Sequence, residues 1–154
     1  MPEAFAALRE RAETQYAQWT NPERPRIDVA IDTSSLAAGA AEVREAIEAD
    51  ARSRNAAVDF GRVTGIGMQW LNPLVTISWP DGTRVLYGPV GVDDAAAIVD
   101  AATGKDDEGG GAAASGLAIA TLSGSHPDVP PLSEHPFFAP ESERRLLARI
   151  GHTD

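Results

Sequence analysis

The chain has 154 residues, enough for one domain with room for tails; 43% of them are hydrophobic but only 6% aromatic, so the core is thin. Its formal net charge is −10 and Lys105 is its one lysine, which argues against a nucleic-acid face and an anionic membrane surface. There is no cysteine, which excludes disulfides, zinc fingers, thiol catalysis and cysteine-held iron–sulfur clusters.

The opening MPEAFAALRERAE lacks the basic start and apolar run of a signal peptide. No window approaches the length of a membrane span. The expectation is a cytoplasmic protein without membrane insertion.

Residues 3 to 19 read as an amphipathic helix, because Phe5, Leu8, Ala12, Tyr16 and Trp19 recur at spacings of three and four. It either packs on the flank of the domain or docks a partner. Thr20-Asn21-Pro22 stops it. Ile27 to Ile31 alternates apolar and polar residues and reads as the first strand. Thr33, Ser34 or Ser35 is expected to cap a helix from about Leu36 to Arg54, with Leu36, Ala40, Val43, Ile47 and Ala51 on its buried face.

A second strand is expected over residues 57 to 63, followed by a glycine-rich loop from Thr64 to Asn72. Two apolar runs flank Trp79-Pro80-Asp81-Gly82-Thr83, the signature of a hairpin closed at Gly82. Asp93 or Asp94 opens a third helix with Ala95, Ile98, Val99 and Ala102 as its apolar stripe, and Gly104 ends it. The order is helix, β-α-β, then β-β-α. The first two strands should pair in parallel through a crossover and the hairpin must be antiparallel. The fold class is therefore α/β, a small mixed sheet with flanking helices in the thioredoxin-like arrangement, plus an N-terminal helix and an extended C-terminal tail.

The chain divides into an N-terminal helix (1–25), the thioredoxin-like domain (26–104), a flexible acidic linker (105–116) and a proline-rich segment (117–154). The linker glycines lack the Gly-Lys-Ser/Thr of a phosphate loop. Within the last segment, Leu117 to Leu122 is a short apolar run, 123–140 reads as extended, and 141–150 as a helical turn or two.

Three pieces, in order, carry a family resemblance: DTSSLAAGA (Asp32 to Ala40), TGIGMQWLNPLVTI (Thr64 to Ile77) with the following Asp-Gly turn and VLYGPV, and the closing PPLSEHPFFAPESERRLLARIGHTD. Together they resemble the N-terminal region of the NADH- and flavin-binding diaphorase subunits. These are found in bacterial NADH dehydrogenases, NAD-reducing hydrogenases and NAD-dependent formate dehydrogenases. The resemblance implies a thioredoxin-like, ferredoxin-type domain, with Pro136-Phe137-Phe138 leading towards a flavin domain. In cluster-bearing relatives, cysteines occupy positions equivalent to Ser34 or Ser35, Gly65 and Gln69. Glycine has no donor, and neutral serine or glutamine does not replace a thiolate on iron. The expected form is thus cluster-free, most like the formate dehydrogenase beta subunit, with Met68, Trp70 and Leu71 filling the vacated space.

The family's FMN, NADH and 4Fe-4S motifs have no counterpart in these 154 residues, so no cofactor, metal or catalytic residue is assigned. The expected role is docking and assembly with protein subunits of an NAD-linked oxidoreductase; the alternative is a standalone thioredoxin-like binding or assembly module. Interface candidates are Trp70, Phe137 and Phe138, the last two as an exposed anchor with nothing in this chain to pack on. Trp70, Trp79 and Tyr87 form either an aromatic patch or part of the core. His126, His135 and His152 fit no compact metal motif and His126 and His135 read as turn residues. Asp106-Asp107-Glu108 reads as a solvated charge run. Ser34-Ser35 reads as a cap rather than a nucleophile, since no serine-elbow motif surrounds it.

Overall fold

The computed structural model describes residues 3–104, 114 and 116–138. Residues 105–113, most of the expected linker, lie outside the described residues, as do the expected helical turn at 141–150 and His152.

A five-stranded sheet organises the domain: β1 (Arg26–Ala30), β2 (Asp59–Val63), β3 (Val75–Ser78), β4 (Arg84–Tyr87) and β5 (Ala118–Ser123), in the spatial order β2-β1-β3-β4-β5. β1 and β2 are parallel, and the remaining pairs are antiparallel. Helix α1 (Glu3–Thr20) precedes the sheet; α2 (Thr33–Ala37) and α3 (Ala40–Ser53) form the β1–β2 crossover, and α4 (Ala95–Thr103) follows the hairpin.

One face is apolar because alternate strand residues point to it. Ile27, Val29, Val75, Ile77, Val85 and Tyr87 pack there with Val43 and Ile47 of α3 and Ile98 and Val99 of α4. The other face is also buried. It has an apolar end, Ala30, Leu74 and Leu86 with Met68, and a polar end built around Asp28, Ser78 and Arg84.

The hairpin forms as its turn chemistry requires. Gly82 has φ +86°, the Trp79 amide donates to the Thr83 carbonyl at 2.9 Å, and Asp81 accepts from the Thr83 amide. Gly104 ends α4 in the left-handed region at φ +65°. The Asp94 carboxylate reaches backwards to the Gly91 amide at 2.7 Å, fixing a 3-10 turn at the helix entrance.

Three expectations change. The single helix from Leu36 to Arg54 is two helices, because Gly39 adopts φ +94° between them. Leu36 consequently points to solvent instead of extending the buried row of Ala40, Val43, Ile47 and Ala51. The α2 cap is Asp32, whose carboxylate accepts from the Ser35 amide, and not a serine or threonine hydroxyl. Flank packing of α1 is confined to its last turn: residues 5 to 18 are exposed, while Trp19 lies 4.6 Å over the Arg84 guanidinium.

The apolar run after the linker is an edge strand. The segment beyond it is pinned to that strand rather than freely extended: the Thr121 amide donates to the Pro130 carbonyl and the Thr121 hydroxyl to the Val129 carbonyl, at 2.8 and 2.9 Å. Val129 and Leu132 are buried. The sheet thus takes its fifth strand from beyond residue 104. Among the described residues, no helix is long and apolar enough to cross a membrane.

Candidate functional site

Parallel strands end on the same side of a sheet, so β1 and β2 deliver their following segments to one edge. Asp32 follows β1, and the loop from Thr64 to Asn72 follows β2. The Ile31 amide donates to the Val63 carbonyl at 2.9 Å and carries the pairing up to that edge.

Asp32 is the hub. One carboxylate oxygen accepts from the Ser35 amide at 2.9 Å and from the Ser34 hydroxyl. The other accepts from the Gly65 amide at 2.8 Å and the Ser35 hydroxyl at 3.1 Å. Asn72, at the far end of the loop, donates its side-chain amide to the Ser34 oxygen at 3.1 Å. A carboxylate that accepts several donors favours its charged form. The Ser34 hydroxyl, with the Ser35 and Gly65 amides and the Ser35 hydroxyl, holds Asp32 well below the usual carboxylate range against the opposing effect of partial burial. So placed, Asp32 is a structural tie, unsuited to proton transfer near neutrality.

The network surrounds an open cleft of about 530 Å³ whose walls include Asp32, Ser34, Gly65, Gly67, Gln69 and Asn72. All the positions where the resemblance places cysteines therefore meet here. Ser35 is fully buried, and a Cβ built on Gly65 would lie 3.9 Å from its hydroxyl oxygen. That same Cβ would lie only 2.5 Å from the Asp32 carboxylate. The side chain beside Gly65 is thus an aspartate. The expected filling by Met68, Trp70 and Leu71 holds only in part: Met68 is fully buried and Leu71 packs on the second core cluster, but Trp70 is 62% exposed and fills nothing.

Trp70 meets the returning tail. Phe137 stands edge-on to it with ring centroids 5.1 Å apart, and Phe138 stands edge-on to Phe137 at 4.9 Å. Both phenylalanines are half-buried against the cluster of Ala30, Met68, Leu74 and Leu86. They are not an anchor without a surface; this chain supplies the surface. Gly67, at φ +95°, carries the loop beneath the Phe137 ring. His126 and His135 close local turns, accepting through Nδ1 from the Asp128 and Phe137 amides at 3.2 Å. Trp79 and Tyr87 pack in the other core cluster and form no patch with Trp70. Among the described residues, no group of three or more His, Asp or Glu is placed to hold a metal.

Asp32 is the residue of this site whose role sequence reasoning passed over. Its signal was present: aspartate ranks with serine among the strongest helix caps, and here it immediately follows a strand.

No family model and no curated protein matches the chain. The solved structures that resemble it include two of a thioredoxin-like 2Fe-2S ferredoxin from Aquifex aeolicus. One shares 18% identity over 66% of this chain and 96% of the ferredoxin, with a TM-score of 0.50. The other, the wild-type protein, shares 20% identity over 64% of this chain and 98% of the ferredoxin, with a TM-score of 0.47. The first of these likenesses agrees with the topology above: the chain has a thioredoxin-like fold.

Proposed function

We propose that this chain is a cluster-free, non-catalytic thioredoxin-like domain of an NADH:acceptor oxidoreductase subunit of the diaphorase type, most like the formate dehydrogenase beta subunit. Its work is docking and assembly with the other subunits in the cytoplasm. The observation that carries this reading is the Asp32 tie. The segments that resemble cluster-binding motifs converge at one edge, and there a carboxylate with two serines, one glycine and one asparagine joins them. A ferredoxin-type loop is retained and its redox chemistry is not. FMN and NADH would be held by a following domain, towards which residues 117–154 lead, and iron–sulfur centres would lie elsewhere in the parent enzyme.

Isolation of the native protein from its host with an antibody against residues 26–104 tests this. The proposal expects a polypeptide well above 16.2 kDa that contains FMN and oxidises NADH with an artificial acceptor. A 16.2 kDa polypeptide with neither property would favour the second reading, a standalone thioredoxin-like binding module. That alternative draws support from Phe137 and Phe138, whose rings are accommodated by their own domain.

A further inference from the structure

The apolar stripe of α1 has a pattern that fits itself. At about 100° per residue, Phe5, Leu8, Ala12, Tyr16 and Trp19 fall within an arc of about 80° centred on Ala12. Phe5, Leu8 and Tyr16 are 51%, 63% and 53% exposed. The spacings are three, four, four and three, and a stripe this narrow suits the seam of a helix pair better than the broad face of a helix lying on a core.

The size and charge patterns specify the pairing. If a second copy of the stripe runs antiparallel and crosses at Ala12, the smallest residue sits where the helices come closest. Leu8 then faces Tyr16 of the other helix, and Phe5 comes against the remaining exposed part of Trp19, whose ring is half-buried over Arg84 of its own domain, so a smaller side chain opposes a larger one at both ends. Arg9 and Glu13 lie on the same flank of the seam and pair within the helix at 2.7 Å. In an antiparallel pair with two-fold symmetry, equal flanks meet. Arg9 of each copy then lies two residues, about 3 Å along the axis, from the level of Glu13 of the other, close enough for the two side chains to pair. Along α1, Arg9 and Arg11 stand against Glu3, Glu10 and Glu13, so the helix carries a formal charge of only −1 on a chain of net charge −10. Two copies meet where their repulsion is least.

From these relationships we infer that α1 is a self-association surface, pairing antiparallel with α1 of a second copy of this chain. The inference does not depend on the proposed function. Sedimentation equilibrium of the full chain over a concentration series tests it. The expected result is a concentration-dependent rise to about twice 16.2 kDa. Leu8→Glu should weaken the dimer by roughly a hundredfold with an unchanged circular dichroism spectrum, since Leu8 is not part of the core. Arg9→Glu should weaken it at least several-fold, and Arg9→Glu with Glu13→Arg should restore it. A chain that stays monomeric at high micromolar concentration, or a dimer indifferent to both Leu8→Glu and Arg9→Glu, would overturn the inference.

Discussion

The carboxylate of Asp32 accepts the amide of Gly65 at 2.8 Å across 33 positions of sequence. The contact explains both residues. Asp32 sits at the end of β1, where it caps α2 and ties the loop that leaves β2. Gly65 is a glycine because a Cβ there would meet the carboxylate at 2.5 Å. A position that looks like the simple loss of a ligand is therefore a requirement of the present packing.

Replacing Asp32 with asparagine should cost about 2 kcal/mol at neutral pH, because a charged acceptor of two backbone amides becomes neutral and one oxygen becomes a donor. The native carboxyl titrates below the ordinary value of about 3.9, so its stabilisation is fully present above that value and is lost as pH falls towards the native one. Urea unfolding of both proteins should show a constant gap from pH ~7 to ~5 that narrows below pH ~4. A gap that widened on acidification would contradict the assignment of Asp32 as the charged hub.

Phe137→Ala should loosen the returning tail without unfolding the sheet. The ring is half-buried and edge-on to both Trp70 and Phe138, so the expected loss is about 1–2 kcal/mol. Its specific readout is Trp70 emission, isolated as the difference between each protein and its Trp70→Phe counterpart. That difference should shift to the red in the Phe137→Ala background, as the indole loses its apolar neighbour.

The polar end of the second sheet face should be intolerant in a different way. Asp28 is fully buried, pairs with the Arg26 Nε at 2.9 Å, and leaves its other oxygen without a hydrogen-bond partner among the described residues. Burial lowers the pKa of Arg84, and the charge of Asp28 opposes that effect. Asp28→Ala should therefore cost about 3–5 kcal/mol, since it strands a buried guanidinium. Gly61→Ala should cost about 1–3 kcal/mol, because its new methyl would collide with both Asp28 and the Arg26 guanidinium. Thermal unfolding of the two variants gives the comparison, with Asp28→Ala the less stable.

Local signals carried much of the fold. The alternation of Ile27 and Val29, the Pro-Asp-Gly turn and the stripe of Ile98 and Val99 each depend on residues within a few positions, and they give the parallel β1–β2 pair and the antiparallel hairpin but neither the β1–β3 pairing nor the fifth strand. What escaped local reading depended on distance or on one dihedral angle. Leu36 and Ala40 are four apart, which reads as one helix until Gly39 turns the chain at φ +94°. Ala118–Ser123 does not alternate in polarity, because an edge strand covered by its own tail has no consistently wet face. The candidate site was half legible. The two loops could be aligned by their glycines and serines, but nothing near Asp32 in sequence reveals that its second oxygen is held by Gly65. Likewise, the destination of Phe137 and Phe138 depends on a tail that crosses back over β5 to reach the loop.

The most direct test of the carboxylate tie is a double-mutant cycle between Asp32 and Gly65, measured by urea unfolding at pH ~7. Gly65→Ala alone should cost about 2–3 kcal/mol, because the methyl must displace a donor-saturated carboxylate. In an Asp32→Ala background the same change should cost less than about 1 kcal/mol, leaving a coupling of at least about 1 kcal/mol. Equal costs in the two backgrounds would contradict the account: the glycine would then owe nothing to Asp32, and the loop would be held by something other than the carboxylate.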